Sequence, residues 1–232
     1  MIKILLCCLL VLFVVVVSAN DPAPTWLAYA KSPGNGGLLT FVNATWMVPN
    51  YPSRRFGSSS PGFWFGIEPS PATNLIQPIL AYNTIEDAEF YGDYTIFDGY
   101  FQWSNFQWSH SATHKVSPGD IINGWVKYDK SSNSYACYIT DTNSGWSATM
   151  NIKVPSGKVY TDTYFVVEHQ PNSCEELPPA KAGMTFYDIE VQIDYKTVTP
   201  NFKPYKFKDV CDTTAVIKDP STIEFTWTNS ND

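Results

Sequence analysis

Apolar and polar residues alternate with a period of two along most of this chain. Such alternation predicts strands, because successive side chains of a strand point to opposite faces. The pattern is clear in Leu38 to Val48, Tyr94 to Trp103, Ile121 to Asp129, Tyr135 to Thr140, Trp146 to Val154, Thr185 to Asp194 and Thr222 to Trp227. Three further runs are almost continuously apolar: FWFGIE (Phe63 to Glu68), NLIQPIL (Asn74 to Leu80) and YTDTYFVVEH (Tyr160 to His169). Turn chemistry separates the runs at Ser117 to Asp120, Asp129 to Ser134, Asp141 to Gly145 and Val154 to Gly157. No stretch carries a sustained helical period with caps. Many short strands without helices predict an all-β antiparallel sandwich or barrel. No linker, repeat or low-complexity block divides it, so residues 20–232 read as a single domain.

The first nineteen residues read differently. Lys3, the apolar run Ile4 to Val17 and the small residues Val17-Ser18-Ala19 have the form of a secretory signal peptide cut after Ala19. The run is short for a spanning helix, and no later stretch is apolar enough to cross a bilayer. The expected protein is therefore secreted or extracellular, or held in an acidic vesicle, with no membrane attachment once the leader is removed. Without Lys3, 14 basic residues face 22 acidic ones, a formal charge of −8. That balance argues against a nucleic-acid partner. Of five cysteines, Cys7 and Cys8 leave with the leader. Cys174 and Cys211 lie in turn-rich sequence and are the expected disulfide; Cys137, inside a strand-like run, is the expected buried thiol. Asn43-Ala44-Thr45 is an acceptor sequence for glycosylation.

Two polar residues interrupt apolar strands. Gln77 shares a face with Leu75 and Ile79. Glu168 shares one with Tyr164 and Val166. Each has an ordinary explanation, an amide satisfied by neighbouring backbone and an exposed carboxylate at a strand end. Together they point to a chemistry. A carboxylate can take a proton from water and return it to a leaving amine. A neutral amide can donate to a developing oxyanion. The pair would hydrolyse an acyl bond without metal, cofactor or covalent intermediate. On the aromatic strand, Tyr100, Gln102 and Ser104 share the face with polar handles and are expected to wall a wet groove, opposite Phe101 and Trp103.

These residues resemble the glutamic peptidases, or eqolisins. Trp26 resembles the family's N-terminal tryptophan, and NATWMVP (Asn43 to Pro49) its Ala-x-x-Val-Pro strand end. FWFGIE resembles its Trp-x-Gly-Ile-acid motif, LIQ the run holding its catalytic glutamine, and VSPGDII (Val116 to Ile122) its Gly-Asp-x-Ile turn. YFVVEH resembles the strand ending in its catalytic glutamate. The resemblance implies two large curved antiparallel sheets packed as a concanavalin A-like sandwich, acting as a monomer on protein or peptide substrates. It implies catalytic Gln77 and Glu168, with Trp26, Trp64, Glu68 and Gln102 at the substrate. Pro69 stands where the family has glycine, Pro78 follows Gln77, and Gln102 stands where the family has glutamate. A proline in a strand calls for an edge or a bulge.

The expected function is a secreted acid endopeptidase. The other open reading is an inactive relative or a carbohydrate-binding β-sandwich, which would use its aromatics and need neither Gln77 nor Glu168. His110 and His114 lack the spacing of a helical metal motif, and no metal is expected. Lys203, Lys206 and Lys208 read as a solvated edge.

Overall fold

A computed structural model describes residues 23–55, 61–84, 88–168, 173–181, 183–207 and 209–229. Residues 1–19, expected to form a leader, and His169 lie outside them. Among the described residues, sixteen strands follow in chain order: β1 (Trp26–Pro33), β2 (Leu39–Met47), β3 (Gly62–Pro69), β4 (Asn74–Tyr82), β5 (Tyr94–Gln102), β6 (Gln107–His110), β7 (His114–Val116) and β8 (Ile121–Asp129); then β9 (Ser134–Asp141), β10 (Ser147–Lys153), β11 (Tyr160–Glu168), β12 (Met184–Ile193), β13 (Lys196–Val198), β14 (Lys203–Lys206), β15 (Thr214–Asp219) and β16 (Thr222–Thr226). They form two eight-stranded antiparallel sheets. The first runs β14-β1-β11-β3-β4-β5-β6, with β7 also on β5; the second runs β10-β9-β8-β2-β12-β16-β15, with β13 also on β12. The chain is a β-sandwich, as the alternation and the resemblance both predict.

The inner faces meet in one core. Phe63, Phe65 and Ile67 of β3, Ile76 and Leu80 of β4 and Phe165 of β11 come from the first sheet. Val42 and Trp46 of β2, Ile122 and Val126 of β8, and Phe186 of β12 come from the second. The first sheet also covers part of its outer face with apolar residues: Trp26, Tyr29, Trp64, Leu75, Ile79, Ala81, Phe97, Tyr164 and Val166. Every residue of β3 and β4 is buried as a result. This is why FWFGIE and NLIQPIL read as unbroken apolar runs: a strand covered on both faces has no reason to alternate.

Pro78 is neither on an edge nor in a terminal position. It lies within β4, which has β3 on one side and β5 on the other. The β4–β5 register runs through it unbroken, Pro78 opposite Asp98. The β3–β4 register passes from the Trp64–Ile79 pair to the Ile67–Ile76 pair without partners for Phe65 and Gly66. A proline has no N–H to give the ladder, and the ladder lapses beside it. Its ring packs across the sandwich on Gly124, where an added Cβ would come within 3.0 Å of it.

Asp98, also facing inward, is fully buried. Its Oδ1 accepts from the Cys137 thiol at 3.2 Å, and its Oδ2 has no hydrogen-bond partner among the described residues. Cys137 is the buried free thiol that the sequence predicts. Burial raises the Asp98 pKa from its ordinary 3.8 to about 7, against a smaller lowering by the thiol. Because the folded pKa is raised, the carboxyl's contribution is intact below about pH 4. It is lost as pH rises towards 7, since the unfolded chain ionises first. A shift of this size corresponds to about 4 kcal/mol. Urea unfolding midpoints should therefore fall between pH 4 and pH 7.5, and Asp98→Asn should flatten that fall. An unchanged slope in the variant would remove Asp98 as its cause.

Candidate active site

The outer face of the first sheet carries most of the residues expected at a site. Glu168, the last residue of β11, pairs with Trp26 of β1 on one side and Gly62 of β3 on the other. Gly62 in turn pairs with Ala81 of β4. Both are small, and an added Cβ on Gly62 would come no closer than 3.7 Å to the Trp64 ring. Both oxygens of Glu168 are held. Thr25 donates its hydroxyl to Oε1 at 2.5 Å, and the Trp64 indole N–H donates to Oε2 at 2.8 Å. Desolvation raises the Glu168 pKa above its ordinary 4.5, and these two bonds pull it back.

The indole ring of Trp64 is fixed in turn. Trp26 meets it edge to face at 5.1 Å, and Trp26 packs on Tyr164 at 5.4 Å and on Tyr29 at 5.3 Å. This aromatic wall explains why two tryptophans sit in strands whose outer side would otherwise face water. Beyond it, Lys31 pairs with Asp162 at 2.8 Å and lies over the Tyr164 ring, 4.9 Å from its centre.

Gln77 is on the same face and 5% exposed. Its Oε1 is buried without a hydrogen-bond partner among the described residues. In β4 it falls four residues before Ala81, the residue on the Glu168 row; Ile79, paired with Trp64, comes between them. Four residues of strand are about 13 Å at roughly 3.3 Å each, and two strand spacings add about 10 Å sideways. Gln77 and Glu168 thus share one floor but do not touch, and Trp64 stands between their rows. Glycines flank the amide. An added Cβ on Gly66 would come within 3.2 Å of the Gln77 Cβ and 2.7 Å of the Ile76 carbonyl, and Gly99 is its partner in β5.

Glu68 is fully buried on this face, pairs with Asp162 in register, and accepts from the Trp103 indole at 3.2 Å. Trp103 belongs with Phe101 and Trp108 at the far end of the aromatic floor. Here the structure corrects two expectations. The groove side of β5 is the Phe101 and Trp103 side, and Tyr100 packs against the core between the sheets. Gln102 accordingly points away from Gln77 and Glu68, and its amide bonds Gln107 at 3.2 Å. Strand alternation is the reason: Gln102 is one residue out of step with Phe101.

The remaining expectations fall elsewhere. Cys174 and Cys211 are joined, their Cα atoms 5.6 Å apart. His114 stacks on Trp146 at 4.6 Å and faces Asp141 at 3.7 Å, a contact between the two sheets and remote from Glu168. No group of three or more potential metal ligands occurs among the described residues. Lys203 and Lys206 lie in the exposed edge strand β14; Lys208 lies outside the described residues. Thr25 is the site residue that periodicity does not reveal. Its only signal is its place beside Trp26, since a hydroxyl before a strand has no alternation to break.

With this geometry in hand, comparison with known proteins is direct. The model of the Peptidase A4 family matches residues 27–226. The chain belongs to the Peptidase A4 family. It is a glutamic-type peptidase, and proteins or peptides are the substrates this implies. Scytalido-glutamic peptidase, solved with a transition-state analogue inhibitor, superposes with a TM-score of 0.65 at 17% identity, over 88% of this chain and 99% of that one. SCP-B, an eqolisin solved with the tripeptide Ala-Ile-His, gives 0.59 at 15% identity, over 88% and 98%. Aspergilloglutamic peptidase from Aspergillus niger gives 0.51 at 18% identity, over 73% and 99%. No curated protein matches the sequence. At these identities the structural likeness speaks for the fold, and the family assignment rests on the sequence model.

The Thr25 bond has a measurable consequence for this peptidase. A hydroxyl can donate to the carboxylate and accept from the carboxylic acid, whereas an indole N–H only donates. Thr25→Val removes a bond that lowers the Glu168 pKa, so the acid limb of the rate profile should move to higher pH, and Thr25→Ser should restore it. If both variants keep the parent's acid limb, Thr25 does not govern the ionisation of Glu168.

Proposed function

We propose that the chain is a secreted endopeptidase that works in acid, with Glu168 as its general base and Gln77 as its amide donor. The observation that carries this reading is the pairing of groups on one floor. One is a carboxylate held by two donors with its pKa raised by burial; the other is a buried amide whose oxygen has no partner among the described residues. An unsatisfied buried polar group costs about 1–3 kcal/mol; a peptide N–H donating to this oxygen relieves it and leaves the Gln77 Nε2 hydrogens for the adjoining carbonyl.

In this mechanism ionised Glu168 takes a proton from water as the water attacks the scissile carbonyl. It then returns the proton to the leaving amine. Gln77 donates its amide N–H to the substrate, at the carbonyl or the developing oxyanion. The offset between the two rows leaves room for a peptide group above Trp64. The substrate lies as an extended chain over the aromatic floor from Trp26 to Phe101, and Glu68 and Trp103 brace the floor at that end. The raised pKa of Asp98 supports acid operation, because that carboxyl's own contribution to stability is largest while it is protonated. Secretion is supported by the leader-like residues 1–19 and by the Cys174–Cys211 disulfide.

Digestion of a denatured protein in acid tests the reading. Glu168→Gln keeps size and hydrogen bonding but removes the base. It should lose about 10²–10⁴-fold in turnover, and Gln77→Ala should lose about 10²–10³-fold, with unchanged circular dichroism. Parent-like turnover by Glu168→Gln would refute the assignment of the base. Parent-like turnover by Gln77→Ala would leave Gln77 a floor residue without a part in the reaction.

A further inference from the structure

The second sheet's outer face holds a feature unconnected with the first sheet's site. Asn43 and Thr45 of the acceptor sequence project from β2, a central strand of that sheet, and both are half-buried. The Asn43 amide is fixed in place. Asn123 Nδ2 of β8 lies 3.0 Å from its Oδ1 and 3.1 Å from both the Ala44 carbonyl and the Thr45 hydroxyl, three acceptors that share its two hydrogens. Asn43 Nδ2 donates one hydrogen to the Asp188 carbonyl at 3.1 Å. An amide nitrogen has two hydrogens, so one remains. Directly across from Asn43 in β8 is Trp125, and across from Trp125 in β9 is Tyr138. Their rings stack at 4.8 Å with 14° between planes, both half-buried on the outer face. Trp125 also borders a recess with Lys127, Ala136 and Tyr195.

We propose that Asn43 carries an N-linked glycan whose first sugar rests on the Trp125–Tyr138 aromatic shelf. In the transfer, Asn43 Nδ2 attacks the anomeric carbon of an oligosaccharide carried on a lipid pyrophosphate. The carbon–nitrogen bond forms, the bond from that carbon to the pyrophosphate oxygen breaks with its electron pair, and one amide proton passes to a base. The glycosylated amide keeps one N–H, so the bond to Asp188 survives. The sugar starts beside Trp125 because the strand register puts Asn43 there. Its apolar C–H face then covers ring surface that water otherwise meets. Paired rings on a solvent-facing sheet also serve as plain cross-strand pairs, and the test separates the two roles.

The proposal rests on the secretory route proposed above, so the chain is directed into that route by a foreign leader in a eukaryotic host and compared with chain made without glycans in bacteria. Peptide mapping should find the glycan on Asn43, and Asn43→Gln should lack it. The glycan should raise the melting temperature by about 2–4 °C. That increment should vanish in Trp125→Ala and in Trp125→Leu, which keeps apolar bulk without the flat ring. Unoccupied Asn43 in the secreted chain overturns the proposal, and so does an increment of equal size in the Trp125 variants. If the native leader fails to export the chain while the foreign leader yields glycosylated Asn43, the shelf stands and the secretory reading falls.

Discussion

The first sheet is covered on both faces, and the chemistry of the molecule follows from that constraint. Its inner face packs against the second sheet, and its outer face is roofed by Trp26, Trp64, Tyr164 and their neighbours. A strand in such a sheet offers a polar side chain no cheap place to go. Each one that persists must find a partner, shift its pKa or wait for a ligand. Asp98 takes a thiol and a raised pKa, Glu168 takes Thr25 and Trp64, and the Gln77 oxygen takes nothing among the described residues.

The aromatic residues divide along the same line. Phe63, Phe65 and Phe165 fill the sandwich, while Trp26 and Trp64 face outward, where Trp64 holds a carboxylate and Trp26 holds the Trp64 ring. One tryptophan can serve both ends because its ring is apolar and its N–H is a donor. Removing water from around Glu168 and orienting it are therefore done by the same side chain. The small residues Gly62 and Ala81 continue the Glu168 row across the sheet, and Gly66 and Gly99 let Gln77, Leu75, Ile79 and Trp108 pack where a larger residue would clash.

Much of the fold is legible in the period-two pattern. The alternating runs from Leu38 to Val48 and from Ile121 to Asp129 correspond to β2 and β8, with ends shifted by at most one residue. Gln77 and Glu168 also stand out, because a polar residue in an apolar strand is visible in one dimension. Strands β1, β6, β7, β13, β14 and β15 are not marked by the pattern. Several are short edge pieces with exposed side chains, and they exist because a neighbour offers its backbone, not because their own pattern demands it.

What the sequence by itself determined is the class of the fold, its division into strands and turns, and which polar groups are out of place. Those follow from local periodicity and from the cost of burying an amide or a carboxylate. Tertiary structure alone decided which faces meet. It turned Phe101 and Trp103 towards the site and Gln102 away, set Gln77 four residues from the Glu168 row, and brought Thr25 to the carboxylate across a separation of 143 residues. Register and face are relations between strands. A one-residue step reverses every side chain, and the chain pattern cannot fix that step where both faces are equally apolar.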